Sequence, residues 1–98
     1  IAHGTPWVYR ERGIGSIVGM PVPGTMTSVN WETLQDASMY FGIPVVGYRT
    51  KDGKYLENTQ LEPDLKVRND YDQVIDGRDQ QLEVAVKELL RQIDARRR

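Results

Sequence analysis

The sequence predicts a small α/β fold made of short strands and a C-terminal amphipathic helix. Short runs rich in β-branched and aromatic residues lie between glycines and prolines, which is typical of strands. Toward the C-terminus, apolar residues recur at steps of three and four, which predicts an amphipathic helix. A helix-start signal also lies near the N-terminus, so helices and strands are mixed along the chain. An α+β arrangement is the alternative.

The first predicted element is a helix that starts at the N-cap candidate Thr5. Pro6 suits the first helical position, and Gly13 suits the C-terminal cap. The apolar run GSIVGM at residues 15–20 then predicts a buried strand. This strand must end at residues 21–24, because the two prolines there cannot donate ladder hydrogen bonds.

The middle of the chain predicts further strands. Residues 25–34, TMTSVNWETL, have the composition of a strand, whereas residues 39–42 have no clear pattern. Residues 43–48 lead into Asp52-Gly53, a strong hairpin signal. Residues 55–57 are then the return strand, which places Glu57 at a strand end. A loop with a short extended piece follows at residues 61–67.

The last predicted element is a helix with Asp79 as its N-cap candidate. Its apolar residues, Leu82, Val86, Leu89, Leu90 and Ile93, form one stripe. All of them except Leu90 are expected to be buried together.

Composition excludes several classes of site and partner. The net charge of -1 argues against general electrostatic attraction to nucleic acid or to an anionic membrane. Without cysteine, disulfides and thiolate metal sites are excluded. No apolar run approaches the roughly 20 residues that span a bilayer, and no signal-peptide pattern is present. A hydrophobic content of 39% is low for an independent domain, so part of the apolar surface is expected to face a partner segment.

The residues alone do not form a complete catalytic or metal-binding motif. A metal site would need carboxylates together with His3, and no spacing supports one. No phosphate loop or dinucleotide fingerprint is present, and no serine lies on a nucleophile elbow. We therefore expect no cofactor and no self-contained active site.

Three stretches of the sequence, taken in order, resemble one peptidase family. They are IVGMPVPGTMTSVNWETLQDASMYFGIPVVGYRTKDGKYLEN at residues 17–58, LEPDLKV at residues 61–67 and GRDQQLEVAVKELL at residues 77–90. Together they resemble the C-terminal portion of the catalytic core of tricorn-type serine peptidases, within the wider family of C-terminal-processing (tail-specific) peptidases. The resemblance covers residues 3–93. Its most specific parts are GMPVPGT, the passage from LEN to EPD, and GRDQQLE.

The resemblance implies that residues 1–98 are the C-terminal part of a peptidase catalytic domain with a crotonase-like fold. In this family the nucleophilic serine starts a helix, which places it immediately upstream of Ile1. The general-base histidine and an assisting serine lie further upstream. We therefore expect residues 1–98 alone to be inactive and to require the remainder of the catalytic core. Peptides or unfolded proteins are the implied substrates, and both a cytoplasmic and a periplasmic location are compatible.

The catalytic role that the resemblance carries over falls on Glu57. The family's tetrad ends with a glutamate that closes a strand before an N-x-x-x-x-P-D stretch, and Glu57 precedes Asn58 and Pro63-Asp64. Such a carboxylate orients the next donor and stabilises the positive charge on the histidine. Many tail-specific peptidases have a glycine where this chain has Gln60. Because neither the histidine nor the lysine partner is present, the catalytic set is either Ser/His/Ser/Glu, which the LEN element favours, or a Ser/Lys pair.

Two further groups of residues are candidates for the site. His3 either borders the active site, close to the expected nucleophile, or caps and packs near the helix start. The segment after the first strand either lines the substrate cleft, because its backbone lacks ladder partners, or simply connects two strands. It comprises Pro21, Val22, Pro23, Gly24 and Thr25.

The alternative function is that of a non-catalytic module which captures an extended peptide on a strand edge. A native N-terminus with a starting methionine would favour this module, whereas a Ser-Asp or Ser-Asn pair before Ile1 would favour the peptidase. A homo-oligomer is compatible with either function.

Overall fold

The computed structural model describes residues 2–98 and contains both helices and strands, which confirms the predicted mixture of the two. The chain forms two compact units. Residues 2–8 and Val22–Leu61 form the first unit, and Tyr9–Pro21 and Glu62–Arg98 form the second. The elements are α1 (Gly4–Glu11), β1 (Val18–Gly19), β2 (Ser28–Thr33), β3 (Tyr40–Val46), β4 (Leu65–Lys66), α2 (Tyr71–Ile75) and α3 (Gln80–Arg97).

The main element of the first unit is an antiparallel ribbon of β2 and β3. Trp31 pairs with Gly42, and a register shift lies between Ser28 and Val29. The turn between the strands closes where the Leu34 amide donates to the Met39 carbonyl at 3.0 Å. The predicted strand at residues 25–34 is therefore confirmed in a shorter form. Its partner, β3, includes residues 40–42, which have no clear sequence pattern. These residues are extended because they pair with β2.

The hairpin expected at Asp52-Gly53 forms only in part. The turn itself is present, since the Thr50 amide donates to the Lys54 carbonyl at 2.8 Å and Gly53 has φ +82°. The expected return strand at residues 55–57 was wrong, because after the single bridge between Arg49 and Tyr55 the chain turns at Glu57. Glu57 therefore lies at the start of a turn and not at the end of a strand.

In the second unit, Gly13 ends α1 as predicted. Gly13 has φ +59°, and its amide donates to the Arg10 carbonyl while the Ile14 amide donates to the Tyr9 carbonyl. These two bonds form a Schellman motif. The predicted start was wrong by two residues, because the helix begins at Gly4 and not at Pro6, so Thr5 is not its N-cap.

The strands of the second unit are short. β1 lies within the predicted run at residues 15–20 and pairs in parallel with β4, with Val18 opposite Leu65.

The helix α2 was not predicted from the sequence. Asp79 is the N-cap of α3, as expected, and its Oδ1 accepts a hydrogen bond from the Leu82 amide at 2.9 Å.

The described residues bury little apolar surface. Leu56 and Leu61 are the only buried apolar side chains among residues 2–98. The prediction that the apolar stripe of α3 is buried was wrong for this chain, since Leu89 is 59% exposed and the other stripe residues are also exposed. The reason is that the strand which α3 contacts, β1, has two residues and cannot cover a helix of 18. Among residues 2–98, no helix has the length and apolar character that a membrane crossing requires.

Candidate functional site

Glu57 is fixed by two hydrogen bonds to one carboxylate oxygen. Its Oε2 accepts from the backbone amide of Met26 and from Thr27 Oγ1, each at 2.7 Å. Oε1 makes no hydrogen bond within residues 2–98, and the side chain is exposed. One oxygen is therefore held in place while the other is free to accept a further hydrogen bond.

The same contacts favour the ionised form of this carboxyl. The Thr27 hydroxyl contributes most to lowering the pKa of Glu57, followed by the Met26 amide, and the Thr27 backbone amide and the nearby His3 lower it further. Hydrogen bonds to a carboxylate stabilise its charge relative to the neutral acid. Glu57 is therefore an anion at neutral pH.

The turn that carries Glu57 is held by close backbone contacts. Asn58 has φ +59°, in the left-handed region that Asn tolerates better than most residues. Its amide donates to the Gly24 carbonyl at 2.6 Å. A Cβ on Gly24 would lie 2.6 Å from the Thr59 amide nitrogen, so only glycine fits this approach.

His3 lies beside this turn and is 2% exposed. Its Nε2 is 2.8 Å from the Thr59 carbonyl oxygen. Its Nδ1 is also buried and has no hydrogen-bond partner among the described residues. His3 thus packs just before α1, and it also contacts the turn that presents Glu57.

The five cleft candidates at residues 21–25 do not share one set of contacts. The expectation that this segment lacks ladder partners was wrong for Val22, whose amide and carbonyl both bond to Leu61 at 2.9 and 3.2 Å. Gly24 contacts the Glu57 turn, and Pro21 belongs to the second unit. Pro23 is exposed.

Thr25 lines an open cavity of about 310 Å³ in the first unit. Hydroxyl groups line much of this cavity, and the Ser28 and Tyr48 hydroxyls hydrogen-bond to each other at 2.8 Å. The remaining lining residues are Gly4, Thr5, Met26 and Thr27. Met26 and Thr27 supply the two donors to Glu57, so this cavity adjoins the fixed carboxylate.

The acidic residues after Glu57 have other roles. Asp64 Oδ2 accepts from the Ile17 amide at 2.7 Å, which ties the start of β4 to the residue before β1. Glu62 is exposed, and only its backbone carbonyl accepts a hydrogen bond, from Arg10. Asp64 Oδ1 also accepts from Arg10 Nη2 at 3.5 Å, so this carboxylate has one donor on each oxygen, whereas both donors to Glu57 bind Oε2.

No serine within residues 2–98 hydrogen-bonds to His3. Ser28 contacts Tyr48, Ser38 donates to Asp36 Oδ1 at 2.7 Å, and Ser16 accepts from Gln92 at 3.2 Å. The described part of the chain therefore lacks a nucleophile–base pair.

Sequence reasoning missed the two donors to Glu57. Thr27 lies 30 residues before Glu57, inside a run whose composition indicates only a strand. The Met26 donor is a backbone amide, for which the residue type gives no signal.

Comparison with known protein families, curated proteins and solved structures finds no match to this chain.

Proposed function

We propose that the chain is the C-terminal part of a serine-peptidase catalytic core with a crotonase-like fold, and that Glu57 is its relay carboxylate. The observation that carries this proposal is the fixed carboxylate of Glu57. Two donors hold Oε2 and favour the anion, while Oε1 remains available to an outside donor. An orienting carboxylate in a proton relay needs this combination of fixed geometry and negative charge.

The proposed reaction is acyl transfer from a peptide to a serine and then to water. The serine Oγ attacks the scissile carbonyl carbon while the histidine takes the hydroxyl proton, and the same histidine returns that proton to the leaving amine. Glu57 accepts a hydrogen bond from the assisting serine and stabilises the positive charge that develops on the histidine. The serine nucleophile, the histidine and the assisting serine come from outside residues 1–98.

The exposed apolar surface supports this assignment to a larger core. The stripe on α3 has the spacing of a buried helix face, yet its residues are exposed within this chain. A contiguous apolar surface of this kind marks a contact with further protein. We assign that contact to the remainder of the catalytic core.

Steady-state kinetics of Glu57→Gln in the full-length protein test the proposal. The amide keeps the shape of the side chain but removes its charge, so the protein should fold and bind substrate with nearly unchanged KM. The value of kcat should fall by about 10²–10⁴-fold, as for the loss of one orienting carboxylate.

The matched control is Glu62→Gln, which removes the same charge from an exposed side chain close in sequence. It should leave kcat near the wild-type value. If Glu62→Gln loses activity while Glu57→Gln keeps it, the relay role has been assigned to the wrong glutamate. If neither change matters, the tetrad proposal is discarded and the Ser/Lys pair is favoured.

The ribbon of β2 and β3 favours a second candidate function, the capture of an extended peptide on a strand edge. Within residues 2–98 these two strands pair only with each other, and Trp31 is 66% exposed on the ribbon. An unpaired edge offers backbone donors and acceptors to an added strand. Titration with an extended apolar peptide should then shift the NMR amide signals of β3. Unchanged signals at saturating peptide would discard this function.

A further inference from the structure

The strongest unexplained feature of the first unit is the buried imidazole of His3. It is the only buried polar side chain among residues 2–98. A carbonyl oxygen only accepts hydrogen bonds, so the 2.8 Å contact with Thr59 requires that Nε2 carries the proton. In the neutral ring, Nδ1 is then the unprotonated nitrogen.

His3 joins two parts of the proposed site through two different groups. Its backbone carbonyl accepts from the Trp7 amide at 3.1 Å, next to the first turn of α1. Its ring binds the carbonyl of Thr59, two residues after Glu57. A single residue therefore links the start of α1 to the turn that carries the carboxylate.

The turn that carries Glu57 is also held by hydrogen bonds that do not involve His3. The Asn58 amide binds the Gly24 carbonyl, and the carboxylate itself is held by Met26 and Thr27. The His3 ring supplies a hydrogen bond that ties this assembly to the segment just before the helix. Because a misplacement of about 1 Å at a reacting group can cost on the order of 10²-fold in rate, such a tie affects catalysis directly.

We propose that His3 is a positioning residue for Glu57, which it aligns with the start of α1 through the bond from Nε2 to the Thr59 carbonyl. This inference rests on the proposed peptidase function. His3 touches no reacting atom in this role and exchanges no proton with the substrate.

Two substitutions of His3 in the full-length protein separate positioning from simple packing. The amide nitrogen of Gln reaches about as far as Nε2, so His3→Gln can keep the bond to Thr59. The shorter Asn reaches only about as far as Nδ1, so His3→Asn loses that bond. We expect His3→Asn to lower kcat by about 10–100-fold with KM within about threefold of wild type, and His3→Gln to keep kcat within about threefold.

NMR provides a readout that does not depend on activity. The wild-type protein should show a proton on Nε2 of His3. The amide signals of Asn58 and Thr59 should move in His3→Asn and stay in place in His3→Gln. If wild-type protein hydrolyses no peptide, the proposed function fails, while these signals still report whether His3 holds the turn.

The inference is overturned if folded His3→Gln loses as much kcat as His3→Asn, or if the Asn58 and Thr59 signals are unchanged in both variants. If His3→Asn does not fold, the comparison is between His3→Gln and wild type. Retained kcat in His3→Gln then supports positioning through the Thr59 bond, and a loss of about tenfold or more overturns it.

Discussion

At the scale of single residues, the lowered pKa of Glu57 has one hydroxyl group as its largest cause. The hydrogen bond from Thr27 is the largest cause of the lowered pKa of Glu57. Because this pKa is lower in the folded than in the unfolded protein, Glu57 contributes stability that is present above its unfolded pKa, about 4.3. That contribution is lost as the pH falls through the folded pKa.

Thr27→Val should therefore raise the pKa of Glu57 toward its ordinary value, because it removes the hydroxyl donor but keeps the side-chain shape. The measurement is an NMR titration of the Glu57 carboxyl carbon. Stability should also fall less on acidification below about pH 4.3 in this variant than in wild type. Thr25→Val is the matched control, since Thr25 makes no hydrogen bond to Glu57, and an equal pKa change in both variants would contradict the assignment.

The sequence pointed to Glu57 as a candidate, but the residues that contact Glu57 could not be predicted from it. The order of LEN and P-D along the chain pointed to this residue, and the structure gives it a fixed carboxylate. The approach of Gly24 to Thr59 and the burial of His3 depend on contacts between distant parts of the chain. A single sequence gives no signal for such long-range contacts.

At the scale of elements, two local signals at helix ends were reliable, whereas the third was wrong, because Thr5 lies inside α1 and is not its N-cap. Asp79 caps α3, and Gly13 ends α1 in the left-handed conformation. These signals succeed because the hydrogen bonds involved span only a few residues. The pairing of β2 with β3 was missed because strand pairing depends on the partner, and residues 40–42 have little local pattern.

Asp79→Ala should destabilise α3, because it leaves the Leu82 amide without its side-chain acceptor. We expect a decrease in Tm of about 4–8 °C, measured by circular dichroism. Asp94→Ala removes the same charge from an exposed position in the same helix and should change Tm by less than about 2 °C. Equal effects of the two substitutions would show that charge, and not capping, is responsible.

Leu89→Ala tests whether further protein covers the α3 stripe. In residues 1–98 alone, an exposed leucine should contribute less than about 0.5 kcal/mol to the free energy of unfolding. In the full-length protein, a covered leucine should contribute about 2–5 kcal/mol. Chemical denaturation of both forms provides the measurement, with the exposed Lys87→Ala as the control. A small loss in the full-length protein would place the stripe in solvent there as well.

At the scale of the whole molecule, the proposed function requires that other parts of the protein complete the active site. The hydroxyls of Ser16, Ser28 and Ser38 bind partners other than His3, so none is activated by it. A fluorophosphonate probe should therefore leave residues 1–98 unlabelled and label a serine elsewhere in the full-length protein. Covalent labelling of a serine within residues 1–98 would contradict the proposed division of the catalytic set.

The β2–β3 ribbon has a consequence for how the chain behaves in solution. β3, YFGIPVV, contains no charged residue, and within residues 2–98 it pairs only with β2. Charged side chains are a common means by which an edge strand avoids pairing with other molecules, and here Pro44 alone interrupts the row of amides. Residues 1–98 produced alone should therefore aggregate as their concentration rises.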